Sequence, residues 1–166
     1  DLFIMFALFE INDESRSALL FYTVSYGLAS IVLFYALTKV DDVNYKGFNG
    51  LSKRAPVLAF ASVVALLSLA GIPFTSVFLA KFFILSSAMN VPSNLILVLA
   101  ALVLAVLSIY YYIKVIIAMY FRDSKKKKIK LSFSSQFFLI IGTLLTIALG
   151  IYPDLLWMLL NCLSSK

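Results

Sequence analysis

The stretch LSLAGIPFTSVFLAKFF, residues 67–83, decides the fold of this chain. It lies inside an apolar run, 56–89, which as one straight helix would be about 50 Å long at 1.5 Å per residue. Pro73 lacks an amide hydrogen and clashes with the preceding turn, while Gly71 permits the dihedral angles that interrupt a helix. We therefore predict a discontinuous helix broken near 71–75. An ordinary proline kink is the alternative.

The composition identifies the surrounding solvent as a lipid bilayer. Hydrophobic residues make up 63% of the chain and charged residues 13%, whereas soluble domains have about 45–50% and about 25%. The hydrocarbon core is about 30 Å thick, so the run 56–89 is too long for one straight crossing. A break at this depth is tolerated where it is buried in protein or lines a wet cavity. The break comprises Gly71, Ile72, Pro73, Thr75 and Ser76. The hydroxyl groups of Thr75 and Ser76 can form hydrogen bonds with the backbone groups that the break frees.

Several classes of function are excluded by the residue inventory. The net charge of +6 does not indicate nucleic-acid binding, because the basic residues cluster in short connectors between apolar runs. A single cysteine, Cys162, excludes an internal disulfide and a cysteine-rich metal or cluster site. Since the chain contains no histidine, we predict no metal site and no histidine-based catalysis.

The apolar runs predict an all-α, polytopic membrane protein, because only helices and closed barrels satisfy the backbone in lipid. The chain is predicted to begin with the end of a truncated transmembrane helix at 1–9, followed by a transmembrane helix at 17–38 and a connector at 39–55. The discontinuous helix at 56–89 comes next. Two transmembrane helices, at 95–121 and 133–151, are separated by a connector at 122–130, and an interfacial helix follows at 154–163. The truncated helix predicts that this chain is the C-terminal portion of a longer protein.

Charge sets the predicted orientation. Most basic residues lie in the connectors 39–55 and 122–130, and the positive-inside rule therefore makes both connectors cytoplasmic and the C-terminus non-cytoplasmic. The lysine run 125–128 is either an anionic-lipid site or a topology anchor in a solvated loop.

Lys81 is the strongest candidate for a functional residue. It lies about 12 Å along the helix axis from the outer end of the run, close to the bilayer mid-plane. A lysine at that depth costs about 2.5–3.5 kcal/mol on insertion scales. Residues 43–122 contain no Asp or Glu, so the partners left are water, backbone carbonyls and other parts of the protein. Because desolvation disfavours the charged form, we predict that Lys81 gains and loses a proton.

Other polar groups at membrane depth carry weaker signals. Lys114 lies about two turns from the cytoplasmic end of its helix, where it can snorkel to lipid phosphates or serve as a proton relay. Tyr22 and Tyr26 share a helix face at i, i+4, with Ser25 beside them. These hydroxyl groups can hold water in a proton path, or make interhelical packing hydrogen bonds.

Several of these segments together resemble one known family. They are LSLAGIPFTSVFLAKFFIL, YKGFNGLSKRAP, YTVSYGLASIVLFYAL, IYYYIKVI and GIYPDLL. The set is similar to the antiporter-like membrane subunits of proton-pumping NADH:quinone oxidoreductase, respiratory complex I, whose superfamily includes Mrp-type sodium/proton antiporters. Lysine at position 81 and the lack of a long lateral helix after the final spans resemble subunit N most.

The resemblance implies a fold, a role and a set of partners. The fold is the second half of an inverted-repeat bundle whose N-terminal half is missing here, and the key lysine of the family falls on Lys81. The implied function is proton translocation coupled to quinone reduction elsewhere in the complex, as part of a translocase; an Mrp-type sodium/proton antiporter subunit is the alternative. No cofactor is implied in this chain, because NADH, FMN, iron–sulfur clusters and quinone belong to the complex. Implied partners are other membrane subunits, including sibling antiporter-like subunits, in a bacterial inner membrane. One departure is Val77, where many relatives carry glycine.

Overall fold

The computed structural model describes residues 13–40, 42, 44–73, 75–89, 95–124 and 126–153. Every regular element in these ranges is a helix, which confirms the all-α fold class. The helices are α1 (Asp13–Leu37), α2 (Tyr45–Phe48), α3 (Leu51–Arg54), α4 (Pro56–Ala70), α5 (Ser76–Met89), α6 (Leu95–Phe121) and α7 (Phe133–Ile151). The predicted segments 1–9 and 154–163 lie outside the described residues.

Three of these helices, α1, α6 and α7, are long and apolar enough to cross a membrane. The chain is an integral membrane protein. Helices α4 and α5 are also apolar but shorter, at about 22 Å and about 21 Å, so neither crosses about 30 Å of hydrocarbon alone. Helix α1 begins before the predicted residue 17, and the predicted connector 39–55 contains two short helices, α2 and α3.

Helix α1 organises the core through one buried face. Its buried residues recur every three or four positions, which is the spacing of a single helix face. They are Ala18, Phe21, Tyr22, Ser25, Ala29, Val32 and Ala36. The first part of this face packs with Val77, Ala80 and Ile84 of α5, and the later part packs with Leu58 and Ala59 of α4. One continuous helix therefore lies along both halves of the interrupted one.

Helix α7 approaches α1 closely at a glycine. A Cβ built on Gly142 would lie 2.5 Å from Cγ2 of Val32, so any other residue would displace the Val32 side chain or separate the two helices. Close backbone approach of this kind is the usual role of small residues between membrane helices. The buried hydroxyl groups of Thr143 and Thr146 donate to carbonyls one turn back, at Leu139 and Gly142. These hydroxyl groups are thus satisfied within α7.

The two basic connectors meet at one end of the bundle. The Gly50 N–H donates to the Ala118 carbonyl at 3.1 Å, and the Ile129 N–H donates to the Arg54 carbonyl at 3.2 Å. Gly50 adopts a left-handed conformation with φ of 62°, which glycine accepts without steric penalty. These bonds place segments 44–55 and 122–130 on the same side of the helices.

Candidate functional site

The site is built around the end of α4, where the backbone turns out of the helix. Gly71 has φ of 75° and ψ of 48°, a left-handed conformation that is strained for residues with a Cβ. Its N–H donates to the Ser68 carbonyl at 2.9 Å, and the Ile72 N–H donates to the Leu67 carbonyl at 3.2 Å. This pair of bonds is the Schellman motif that ends helices at glycine.

The five residues after α4 lead directly into α5. The N–H and the hydroxyl of Thr75 both donate to the Ile72 carbonyl, at 3.2 Å and 2.7 Å. The Thr75 carbonyl in turn accepts from the Leu79 N–H at 3.3 Å and so begins the next helix. The Oγ atoms of Ser68 and Ser76, both buried, lie 3.5 Å apart. This serine pair joins the two half-helices across the break.

Lys81 reaches back from α5 to the end of α4. Its Nζ donates to the Leu69 carbonyl at 3.1 Å, and the side chain is partly buried. Leu69 is one of the last residues of α4, whose terminal carbonyls lack intrahelical partners. Aligned peptide dipoles give this end of a helix a partial negative charge. The carbonyl end of α4 therefore stabilises the positive charge of the Lys81 ammonium group.

The predicted hydroxyl groups of α1 lie on and beside the face that contacts the broken helix. Tyr22 is buried, and its ring stacks on that of Tyr26 with centroids 5.6 Å apart. Ser25 is fully buried, and its Oγ makes no hydrogen bond within the described part of the chain. Leaving a buried hydroxyl unsatisfied costs about 1–3 kcal/mol. The position of Ser25 therefore favours a bound water molecule.

Lys114 lies elsewhere. Its side chain is exposed, and Nζ sits 4.9 Å from the ring centroid of Tyr45, in the first connector. This cation–π contact ties α6 to α2 at the end of the bundle where the connectors meet. Lys81, in contrast, lies at the helix break, so the structure separates the two predicted lysines into different environments.

Two groups that contribute to the site cannot be identified from the sequence. One is the Leu69 carbonyl, because every residue has the same backbone acceptor. The other is Ser68, whose spacing of eight residues from Ser76 becomes a contact only once the helix is interrupted. Among the described residues, no group of three or more His, Cys, Asp or Glu side chains could hold a metal ion.

The connector end has its own electrostatics. The Lys53 Nζ donates to Asp123 Oδ1 at 2.7 Å, and this bond lowers the pKa of the Asp123 carboxyl. The Asn44 N–H donates to Asp42 Oδ1 at 3.0 Å and lowers the pKa of that carboxyl, with a further contribution from Lys126. Both acids thus pair with connector lysines, Asp123 with Lys53 and Asp42 with Lys126.

A buried arginine holds the connectors together. Arg54 is only 6% exposed. Its Nε donates to the Lys127 carbonyl and its Nη1 to the Gly47 carbonyl, both at 3.0 Å. In the sequence, Arg54 is one of the basic connector residues that indicate the orientation of the chain in the membrane. Nothing in the local pattern indicates that it is buried.

Comparisons with known proteins agree with this architecture. The pattern of the NADH:quinone oxidoreductase/Mrp antiporter transmembrane family matches residues 2–108. NADH-quinone oxidoreductase subunit N of Flavobacterium psychrophilum is 36% identical over 154 residues, covering 90% of this chain and 34% of that protein. Subunit N 2 of Herpetosiphon aurantiacus is 35% identical over 160 residues, covering 93% of this chain and 30% of that protein.

A solved structure shares the fold. Respiratory complex I from Thermus thermophilus with bound aureothin contains a chain that matches with a TM-score of 0.81 and 28% identity, covering 92% of this chain and 35% of that one. The present chain spans about a third of the length of the curated relatives it matches. On the extent of the match, this chain belongs to the NADH:quinone oxidoreductase/Mrp antiporter transmembrane family.

Proposed function

We propose that this chain forms part of a proton-translocating membrane subunit of NADH:quinone oxidoreductase, with Lys81 as the group that gains and loses a proton. The energy comes from quinone reduction elsewhere in the complex. One observation carries the proposal: the Lys81 Nζ sits on the Leu69 carbonyl at 3.1 Å, at the point where a membrane helix is interrupted. Discontinuous helices supply ion sites in many transporters, because their exposed carbonyls lie at membrane depth.

The chemistry of the site suits reversible protonation. Desolvation makes a lysine ammonium easier to deprotonate, whereas an arginine stays charged. The carbonyl of Leu69 stabilises the charged form, and partial burial disfavours it. Because these two effects oppose each other, small changes in water access decide whether the amine holds its proton. Ser25, Tyr22 and Tyr26, on the helix that packs along the break, are the candidates for holding water in the path.

The assignment extends to the surroundings of the chain. The relatives named as subunits of NADH-quinone oxidoreductase support an assembly with other membrane subunits, including sibling antiporter-like ones, and with the rest of the same protein. In this proposal NADH, FMN, iron–sulfur clusters and quinone are held by other subunits. The clustered connectors support a cytoplasmic location for 39–55 and 122–130 in a bacterial inner membrane, with the C-terminus on the opposite side. The bundle is the second half of an inverted repeat.

The oxidoreductase assignment is favoured over the Mrp-type antiporter. The family pattern covers both classes. The relatives from Flavobacterium psychrophilum and Herpetosiphon aurantiacus, however, are both named as subunit N of NADH-quinone oxidoreductase. The matching solved structure is also a respiratory complex I. Both findings point to a subunit that works inside a redox-driven complex.

The test is proton pumping by the intact complex that carries Lys81→Ala. We expect electron transfer from NADH to quinone to persist, while proton translocation per NADH oxidised in proteoliposomes falls to less than about half of the wild-type value. Lys128→Ala is the matched control, because it also removes one positive charge, but from an exposed connector position. Wild-type pumping by the Lys81→Ala complex would contradict the proposal.

A further inference from the structure

Gly71 lies unusually close to Lys81. A Cβ built on Gly71 would be 3.2 Å from both Cδ and Nζ of Lys81, and 3.7 Å from Cε. The best separation of nonbonded carbon atoms is about 3.5–4.0 Å. A side chain at position 71 would therefore crowd Lys81, which would have to shift by a few tenths of an ångström.

The direction of the side chain explains this proximity. Side chains on a helix tilt toward its N-terminus, and Lys81 lies in the second turn of α5, so it points back to the break. Along a continuous helix, the twelve-residue separation from Leu69 would be about 18 Å. Because the helix is interrupted, the Lys81 Nζ instead lies 3.1 Å from the Leu69 carbonyl oxygen. The ammonium reaches Leu69 by lying over Gly71.

We propose that Gly71 is a positioning residue for Lys81, whose missing side chain opens the access of the ammonium to the Leu69 carbonyl. Glycine at this position thus has two roles. It ends α4 through its left-handed conformation, and it leaves the carbonyl end of α4 open to Lys81. The inference rests on the proposed function, because it identifies what holds the protonated lysine in place.

The structure supplies a control that separates these two roles. Gly50 also has a left-handed conformation, with φ of 62° against 75° for Gly71. A Cβ on Gly50 would be 3.1 Å from the Ser124 nitrogen and 3.2 Å from the Arg122 oxygen. Alanine at Gly50 therefore introduces similar backbone strain and crowds backbone atoms of the connectors, away from Lys81.

The experiment compares Gly71→Ala, Gly71→Asn and Gly50→Ala in the complete complex. Asparagine tolerates the left-handed conformation better than alanine does but still carries a Cβ. We expect both Gly71 variants to lower protons pumped per NADH at least about twofold, because the added Cβ crowds the Lys81 side chain and a small misplacement of a reacting group impairs it. Electron cryo-microscopy should show the Lys81 Nζ displaced beyond hydrogen-bond distance from the Leu69 carbonyl. Gly50→Ala should leave both readouts unchanged.

Three results would overturn the inference. They are an Nζ still bonded to Leu69 in Gly71→Ala, normal coupling in Gly71→Asn, and an equal loss of coupling in Gly50→Ala. If Gly71→Ala prevents assembly, it is combined with Lys81→Ala. Restored assembly would support the clash with the lysine. If assembly still fails, the backbone strain at position 71 is the cause, and Gly71→Asn then decides the positioning role. Loss of pumping in Lys81→Ala with normal pumping in both Gly71 variants would reject the positioning role alone, whereas normal pumping in Lys81→Ala would reject the proposed function.

Discussion

Arg54 and Lys81 are two cations that the fold removes from water and places on backbone carbonyls. Arg54 donates to two carbonyls where the connectors meet, and Lys81 donates to one at the helix break. The difference lies in the chemistry of the two groups. A guanidinium stays protonated in proteins and binds through a rigid planar fork, whereas a buried amine can release its proton. The comparison separates a cation that fixes the structure from one that can change state.

The largest effect is expected when Lys81 takes on the permanent charge of Arg54. Lys81→Arg keeps a hydrogen-bond donor and a positive charge at the break, but the guanidinium does not deprotonate. We expect proton translocation per NADH oxidised to fall to less than about half of the wild-type value, while the complex still assembles. Proton uptake by proteoliposomes, normalised to quinone reduction, measures this ratio. Normal coupling with arginine would show that Lys81 acts through its charge alone and that the two cations play the same role.

The second effect falls on stability. Arg54→Ala removes two hydrogen bonds from a charged donor, each contributing about 1.5–3 kcal/mol when buried. We expect the free energy of unfolding to drop by about 3–6 kcal/mol, with protons per NADH unchanged in the complex that remains folded. Thermal unfolding of the purified complex, followed alongside pumping, makes the measurement.

Arg54→Lys is the matched control for that variant. Lysine keeps the charge but offers a compact ammonium in place of the planar fork, so it should recover part of the lost stability. A loss of coupling without a loss of stability in Arg54→Ala would contradict the structural role of this residue.

The sequence carries most of the information on the fold because the helix signals are local. The apolar runs predicted an all-α membrane protein, and the structure and the family agree. Gly71 and Pro73 predicted an interruption, and α4 ends at Ala70 in the structure. The predicted break lies near 71–75, and α5 starts at Ser76, because Thr75 bonds back to the Ile72 carbonyl.

The partners of the two cations have no such local signal. Their acceptors include the backbone carbonyls of Leu69, Gly47 and Lys127, and a carbonyl is identical in every residue. Their availability depends on where a helix ends and on how the connectors fold over each other. The sequence therefore indicated Lys81 through the free-energy cost of placing a lysine inside the membrane. It carried no sign that Arg54 is buried. The relay roles of Lys114, Tyr22, Tyr26 and Ser25 stay predictions.

The smallest effect is expected at Lys53, a cation whose side chain stays exposed to solvent. Lys53 precedes Arg54 in the chain and bonds Asp123, yet the two side chains are 75% and 88% exposed. Surface ion pairs contribute little, because water and salt screen the charges. Asp123→Asn should therefore leave the thermal midpoint at pH 7 almost unchanged, unlike Arg54→Ala.

The pH dependence of this variant has a definite sign. The bond from Lys53 lowers the pKa of the Asp123 carboxyl, so the folded state favours the ionised form. The associated stability is present above the usual carboxyl pKa of about 3.9 and is lost as the pH falls through the lower folded value. Midpoints of wild type and Asp123→Asn, measured between pH 7 and pH 3, should differ slightly at neutral pH and converge in acid. A large deficit at pH 7, comparable with that of Arg54→Ala, would mean that the connectors depend on exposed charge as much as on the buried arginine.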